Sequence, residues 1–307
     1  MSPRAALHSE VFLAYLLIVA GTLAVAGAAL GLLRLARGRP LGHPEASYRG
    51  WLIMAPTVLL AVFLGREATV ALLTGVALLG LRELAAASEL GRARGLTAVV
   101  ALGIVAGGVT ALLPAGYGLF LALPLYVVPL LFLVPILGNR AAGQLRLVGL
   151  AVLALVLLGV LFGHLAQLTR SRHAYGDLLF LIVAVEASDV AAYLVGRLAG
   201  RHPLRSAVSP GKTWEGAAGG LAVALALPWA LRFSLPDLSP VDLVLTGLAV
   251  GLGGQLGDLA VSLIKRDLGV KDLGRLIPGH GGVLDRIDSL VFAAPLFVQL
   301  VGARHGL

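Results

Sequence analysis

Apolar residues fall into ten long stretches that carry almost no charge and are separated by short loops of Arg, Gly and Pro. They cover roughly residues 11–33, 51–64, 68–81, 96–113, 117–137, 147–168, 178–195, 217–231, 243–264 and 289–301. A helix that crosses about 30 Å of hydrocarbon at about 1.5 Å per residue needs about 20 such positions. The pattern therefore predicts an all-α, polytopic integral membrane protein with about ten, or nine to ten, transmembrane helices. The second, third and tenth stretches are short, so they either extend past their flanking charges or fail to span. The first lacks an Ala-x-Ala type cleavage site directly behind it and reads as an anchor helix, not a removed signal peptide.

Composition sharpens this picture. Of 307 residues, 58% are hydrophobic and only 13% charged, against about 25% charged in soluble domains. An ordinary soluble fold and disorder are both excluded. Cysteine is absent, which removes disulfides, thiolate metal sites and cysteine nucleophiles. The net charge of +8 does not indicate nucleic acid, because the basic residues sit in short loops between apolar stretches. No nucleic-acid partner is expected; the lipid bilayer is. Alternate loops hold 18 of the 24 basic residues. By the positive-inside rule these loops are cytoplasmic and both chain ends lie on the other side.

Three regions depart from the apolar background. All three lysines, Lys212, Lys265 and Lys271, fall in two of them, against 21 arginines elsewhere and alongside. That distribution points to a need for a compact ammonium. The segment 258–288 holds five aspartates and five basic residues. Asp258, Ser262 and Lys265 or Arg266 share a helical face. Asp285 and Asp288 are three apart and face the same way at a helix start, where they could equally serve as helix caps. Carboxylates near phosphate-binding bases suit Mg²⁺, which takes one or two protein carboxylates plus substrate phosphates. Gly281 and Gly282 let backbone amides approach an anion. His280 reads as a proton-transfer group, a phosphate ligand or a hydrogen-bonding spacer.

The segment 209–216 contains Gly211-Lys212-Thr213, but Ser206 stands where a P-loop needs glycine. Pro210 and Gly211 read as a turn. Thr213 opens a helix whose N-terminus would attract phosphate or be capped by Ser209 or Thr213, with Glu215 as the first-turn acid. On the seventh stretch, Glu186, Asp189, Tyr193 and Arg197 form one stripe, and acids inside a span mark a functional site or an internal structural pair. Gln255 and Asp258 are expected to face that stripe. His164 and His173 have no metal-ligand spacing and receive no role.

Ser262-x-x-Lys265-Arg266, Lys271-Asp272 and Pro278-Gly279-His280-Gly281-Gly282-x-x-Asp285-Arg286-x-Asp288 resemble the signature of the phosphatidate cytidylyltransferase (CDP-diacylglycerol synthase) family. Asp189-x-x-Ala192-Tyr193-x-x-Gly196-Arg197 and Ser209-Pro210-x-Lys212-Thr213-x-Glu215-Gly216 are similar to two upstream motifs of that family. The resemblance is specific over residues 186–288. It implies transfer of the cytidylyl group of CTP to phosphatidate, giving CDP-diacylglycerol and diphosphate in phospholipid biosynthesis. It also implies a metal centre at Asp258, Asp285 and Asp288, holding Mg²⁺ with a monovalent cation such as K⁺ beside it. Lys212, Lys265, Arg266, Lys271, Asp272 and His280 form the implied catalytic set. Asp189, Tyr193, Arg197, Ser209, Thr213, Glu215, Ser262, Gly281, Gly282 and Arg286 form the implied substrate-binding set. The expected location is the cell (inner) membrane with the active-site loops cytoplasmic, in an assembly compatible with a homodimer.

The expected organisation is an added N-terminal helix and basic loop (1–47), a helical membrane region (48–177) and a catalytic membrane region (178–307). The competing readings are a CTP-using relative that acts on an isoprenoid-ether lipid phosphate, a polyprenol-type kinase, and an ion-coupled transporter. Internal repeats, common in transporters, are not visible.

Overall fold

Residues 1–38, 42–274 and 281–305 are described by the computed structural model. After a short α1 (Pro3–Leu7) come α2 (Glu10–Arg37), α3 (His43–Leu64), α4 (Arg66–Ala87), α5 (Arg94–Thr110) and α6 (Gly116–Leu137). The next rod starts as α7 (Gln144–Ala154), widens into a π-helical segment over Leu155–Leu161 and finishes in α8 (His164–Gln167). Then follow α9 (Ala174–Ala199), an antiparallel hairpin of β1 (Pro203–Arg205) and β2 (Ser209–Thr213), α10 (Trp214–Ala230), α11 (Pro240–Asp267) and α12 (Leu284–His305). Every predicted stretch is thus a helical rod. Among the described residues, seven rods are long and apolar enough to cross a membrane. Helical rods satisfy their own backbone groups, which a lipid environment demands. The chain is an all-α polytopic membrane protein.

The three short stretches extend past their flanking charges as helices. α3, α4 and α12 each have 22 residues. α4 takes in Arg66 and Glu67 at one end and Arg82 and Glu83 near the other, and α12 carries Asp285 and Asp288 in its first turns. The charges stand at helix ends, where long side chains reach polar surroundings. The Pro210-Gly211 turn is, by contrast, strand. Ser209–Thr213 pairs back on Pro203–Arg205, and Thr213 then caps α10, its Oγ1 accepting from the Gly216 N–H at 3.1 Å.

Helix ends fall into two sets. Ser2 is hydrogen-bonded to the Tyr175 hydroxyl at the start of α9, and His305 at the end of α12 meets Asp177 on the same first turn of α9. Residues 2 and 305 therefore share one end of the bundle. The C-terminal ends of α9 and α11, the N-terminus of α12 and the β hairpin lie at the other end.

α9, α10, α11 and α12 pack as a block, with α11 against α12 and α10 against α9 in the most extensive contact. Lipid tails are as apolar as Leu, so close backbone approach at small residues does the work that burial does in water. A Cβ at Gly257 of α11 would overlap the carbonyl oxygen of Asp288 on α12. One at Gly216 of α10 would come within 2.6 Å of the Ala192 carbonyl oxygen on α9. α2 lies at the periphery, anchored near its start by buried Phe12 and Tyr15. The Tyr15 hydroxyl is 2.9 Å from Ser234 Oγ.

Candidate active site

Four elements meet at the end of the bundle remote from residues 2 and 305. β2 supplies Lys212, α9 supplies Asp189, α11 supplies Asp258, Ser262 and Lys265, and the start of α12 supplies Asp285 and Asp288. Helical spacing puts Asp258 and Ser262 one turn apart, and the Ser262 Oγ donates to Asp258 Oδ1 at 3.2 Å. The other oxygen of Asp258 meets Lys212 Nζ at 2.6 Å, with both side chains half-buried. Lys265 Nζ lies 2.8 Å from Asp285 Oδ1 and is the more deeply set pair. Asp285 Oδ2 accepts the N–H groups of Leu273 and Gly282, at 3.3 and 3.0 Å. That carboxylate therefore ties α11, the end of the preceding loop and α12 together.

Asp189, Asp258 and Asp288 are close enough for their charges to act on one another. Lys212, Lys265 and Arg286 supply the opposing charge. Asp285 is linked to that group through Lys265, which it binds at 2.8 Å and which also acts on Asp288, and it accepts two backbone amides. Among the described residues, neither Asp189 nor Asp288 has a cation within ion-pair distance. Such a half-buried carboxylate is costly unless something compensates it.

Glu186 adds a further acid toward Arg286. Of the two α11 residues expected to face the α9 stripe, Asp258 does so. Gln255 instead donates to the Ala217 carbonyl of α10 at 2.9 Å. Further along α9, Tyr193 and Arg197 pair with each other at 2.7 Å on an exposed surface. Arg266 Nε donates to the Val208 carbonyl at 3.2 Å and ties the end of α11 to the hairpin. Lys271 and Asp272 are exposed. Ser209 sits half-buried on β2, opposite Arg205. His280 lies outside the described residues.

Glu215 faces the hairpin. It binds His202 Nδ1 at 2.6 Å and accepts the N–H groups of Arg201 and His202. The His202 contact, followed by the surrounding amides, holds its carboxyl down at about 2. Glu215 thus braces the segment that carries Lys212.

Gly281 has φ +81, a left-handed conformation that glycine adopts without strain. A Cβ there would come within 3.1 Å of Asp285 Oδ2. At Gly282 a Cβ would come within 2.5 Å of Glu83 Oε2. Glu83, from α4, accepts the Val283 and Leu284 N–H groups at 2.9 and 3.0 Å and so caps the N-terminus of α12. Sequence reasoning missed this residue. Its only signal was an acid beside Arg82 at the end of an apolar stretch, which reads as a membrane-edge charge.

The model of the Cytidylyltransferase family matches residues 46–303. Phosphatidate cytidylyltransferase of Staphylococcus saprophyticus is 40% identical over 146 residues, 47% of this chain and 55% of the relative. That of Haemophilus influenzae is 44% identical over 145 residues, 45% of this chain and 50% of the relative. A protein from Escherichia coli K12, described as uncharacterized protein YnbB, is 46% identical over 123 residues, 40% of this chain and 41% of the relative. The chain spans about half the length of the curated relatives it matches. With the family model matching residues 46–303, and Lys212, Asp258, Lys265 and Asp288 gathered at one end of its last four helices, the chain belongs to the cytidylyltransferase family.

Proposed function

We propose that this chain transfers the cytidylyl group of CTP to phosphatidate, releasing diphosphate and forming CDP-diacylglycerol at the cytoplasmic edge of the cell (inner) membrane. The observation that carries the proposal is the pair of lysines, Lys212 and Lys265, each fixed by an aspartate beside carboxylates that lack an ion-pair partner among the described residues. The names of the relatives and the family match support the same reading.

The reaction joins two anions. An oxygen of the lipid phosphate attacks the α-phosphorus of CTP, the bond from that phosphorus to the bridging oxygen breaks, and diphosphate leaves with the bond pair. Lys212 and Lys265 lower the repulsion between the reactants and stabilise charge on the transferring and departing groups. Asp258 and Asp285 hold the ammonium groups in place, so little is lost in ordering them when phosphate arrives. Arg286 is a third cation toward the acids, and Lys271 is placed to meet phosphate from solvent. Ser262 orients Asp258. No covalent nucleophile is required.

The donor set fits a hard divalent cation. Asp189, Asp258 and Asp288 offer carboxylate oxygens, and two of them have no cation within ion-pair distance among the described residues. Mg²⁺ held by Asp258 and Asp288, with Asp189 beside them and K⁺ as a neighbour, would supply Lewis-acid polarisation of the phosphoryl oxygens. Asp285, the third acid that the motif implies for the metal centre, binds Lys265 and two backbone amides. It orders Lys265 and the approach to α12.

Purified protein, labelled CTP, phosphatidate and Mg²⁺ test the reading directly. Labelled CDP-diacylglycerol and one equivalent of diphosphate are expected. Product with an isoprenoid-ether lipid phosphate or a polyprenol but none with phosphatidate overturns it.

A further inference from the structure

At the opposite end of the bundle, one ring nitrogen each of His173 and His305 and a carboxylate oxygen of Asp237 lie within 4.8 Å of one another. The three residues come from three elements: the residue before α9, the loop before α11 and the end of α12. The two imidazoles stand edge to face, with centroids 4.8 Å apart. His173 Nε2 meets Asp237 Oδ2 at 2.9 Å.

His305 is the informative member. It is 0% exposed, and its Nδ1 lies 2.8 Å from Asp177 Oδ1, also 0% exposed. Ser171 donates to the other Asp177 oxygen, so the carboxylate is fully engaged. A carboxylate at Nδ1 keeps the proton there and leaves Nε2 as a bare lone pair. That Nε2 is buried and has no hydrogen-bond partner among the described residues. An unpaired buried acceptor is a net cost to the fold, and a protonated Nε2 in the same place would be a worse one. A Lewis acid resolves it.

We propose that His173, Asp237 and His305 bind a zinc-class divalent cation, with Asp177 as the outer carboxylate that orients His305. Two imidazoles and one carboxylate, with an open position for water on the exposed Asp237 side, form a donor set that suits Zn²⁺. Closing on an ion at about 2.0–2.2 Å takes side-chain movement of about an ångström. The ion clamps the ends of α9, α11 and α12, the helices whose other ends carry Asp189, Asp258 and Asp288. Along α9 the two sites are separated by about 24 Å, at about 1.5 Å per residue.

The test uses the full chain in detergent with any histidine tag removed and Mg²⁺ in excess to occupy hard carboxylate sites. Equilibrium dialysis against Zn²⁺ with elemental analysis reads the stoichiometry, and Co²⁺ in place of Zn²⁺ reads the geometry by its visible absorption. About one Zn²⁺ per chain is expected, with a Tm that rises with free Zn²⁺. Because Asp237 is exposed and His173 partly so, Asp237→Ala and His173→Ala should fold. Each should weaken Zn²⁺ binding at least about tenfold and abolish the Co²⁺ absorption. Asp258→Asn, at the other end, should leave both intact. No bound Zn²⁺ in the unaltered chain, or less than tenfold weakening in either variant, overturns the proposal.

Discussion

Lys212 and Asp258 belong to a two-stranded hairpin and a 28-residue helix, yet their charged atoms stand 2.6 Å apart. The ammonium is held by a carboxylate that Ser262 also grips, and among the described residues its remaining N–H groups have no partner and can turn toward an anion. A guanidinium in the same place would keep the charge but present a larger planar fork. Lys212→Arg is expected to lose at least about tenfold in kcat/KM. Lys212→Ala removes a charge-assisted contact of about 1.5–3 kcal/mol and should lose more, up to about 150-fold. Steady-state kinetics of both variants decide the matter: unchanged rates for Lys212→Ala remove the residue from phosphate binding.

Asp285 and Asp288 should separate by type of defect. Asp285→Asn breaks a deeply set pair with Lys265, at a cost of about 3 kcal/mol, and should lower Tm by several degrees along with turnover. The Mg²⁺ requirement of the activity that remains should not change. Asp288→Asn should instead raise the Mg²⁺ concentration for half-maximal rate about tenfold or more while Tm holds. Mg²⁺ titrations and thermal melts of the two proteins check this, and identical profiles would show that both acids do one job.

Glu83 is expected to matter as much as a motif residue. Its two oxygens take the first free amides of α12, where negative charge is also favoured by the helix dipole. In Glu83→Gln one oxygen becomes an NH₂ facing an N–H, a penalty of about 1–3 kcal/mol. The start of α12 should loosen, with kcat down about tenfold and hydrogen exchange faster over residues 283–286. Wild-type kcat together with wild-type exchange would reduce Glu83 to a surface charge.

Deleting residues 1–44 should leave turnover in place. α2 packs along α3, from Phe12 against Phe63 at one end to Arg34 within 4.0 Å of Glu45 at the other, and meets α9 at Tyr175, remote from Lys212 and Asp258. The Tyr15–Ser234 and Ser2–Tyr175 contacts are lost, so a lower Tm is expected. An inserted, folded deletion protein with no activity would mean that α2 builds the site from afar.

The rods were legible because lipid leaves the backbone few options, and apolar length alone then marks a helix. Their ends were less so. Hydropathy breaks at Arg66 and Arg82, whereas α4 starts at the first and continues through the second. The hairpin was hidden because Pro210 and Gly211 signal a turn and nothing local announces that Pro203–Arg205 lies opposite. At the site, Lys212, Asp258 and Lys265 could be found from residue type and spacing. Glu83 could not, because its partners are about 200 residues away in sequence. The same separation hid His173, Asp237 and His305, none of which has a ligand at helical spacing.

At Gly257, α11 and α12 touch backbone to backbone, which leaves no side chain between them to flex. The separation of Asp258 from Asp288 is therefore set by a hard stop one residue before the acid on α11 and at the backbone of the acid itself on α12. The outer surface is governed by different rules. Leu17, Leu125 and Leu145 stand on it with little beyond hydrophobicity to satisfy. Fit to the bilayer and spacing of the acids are thus adjustable separately. Adaptation to a thicker or thinner membrane, at fractions of a kcal/mol per ångström of mismatch, can proceed through the outer leucines while the charged centre keeps its dimensions.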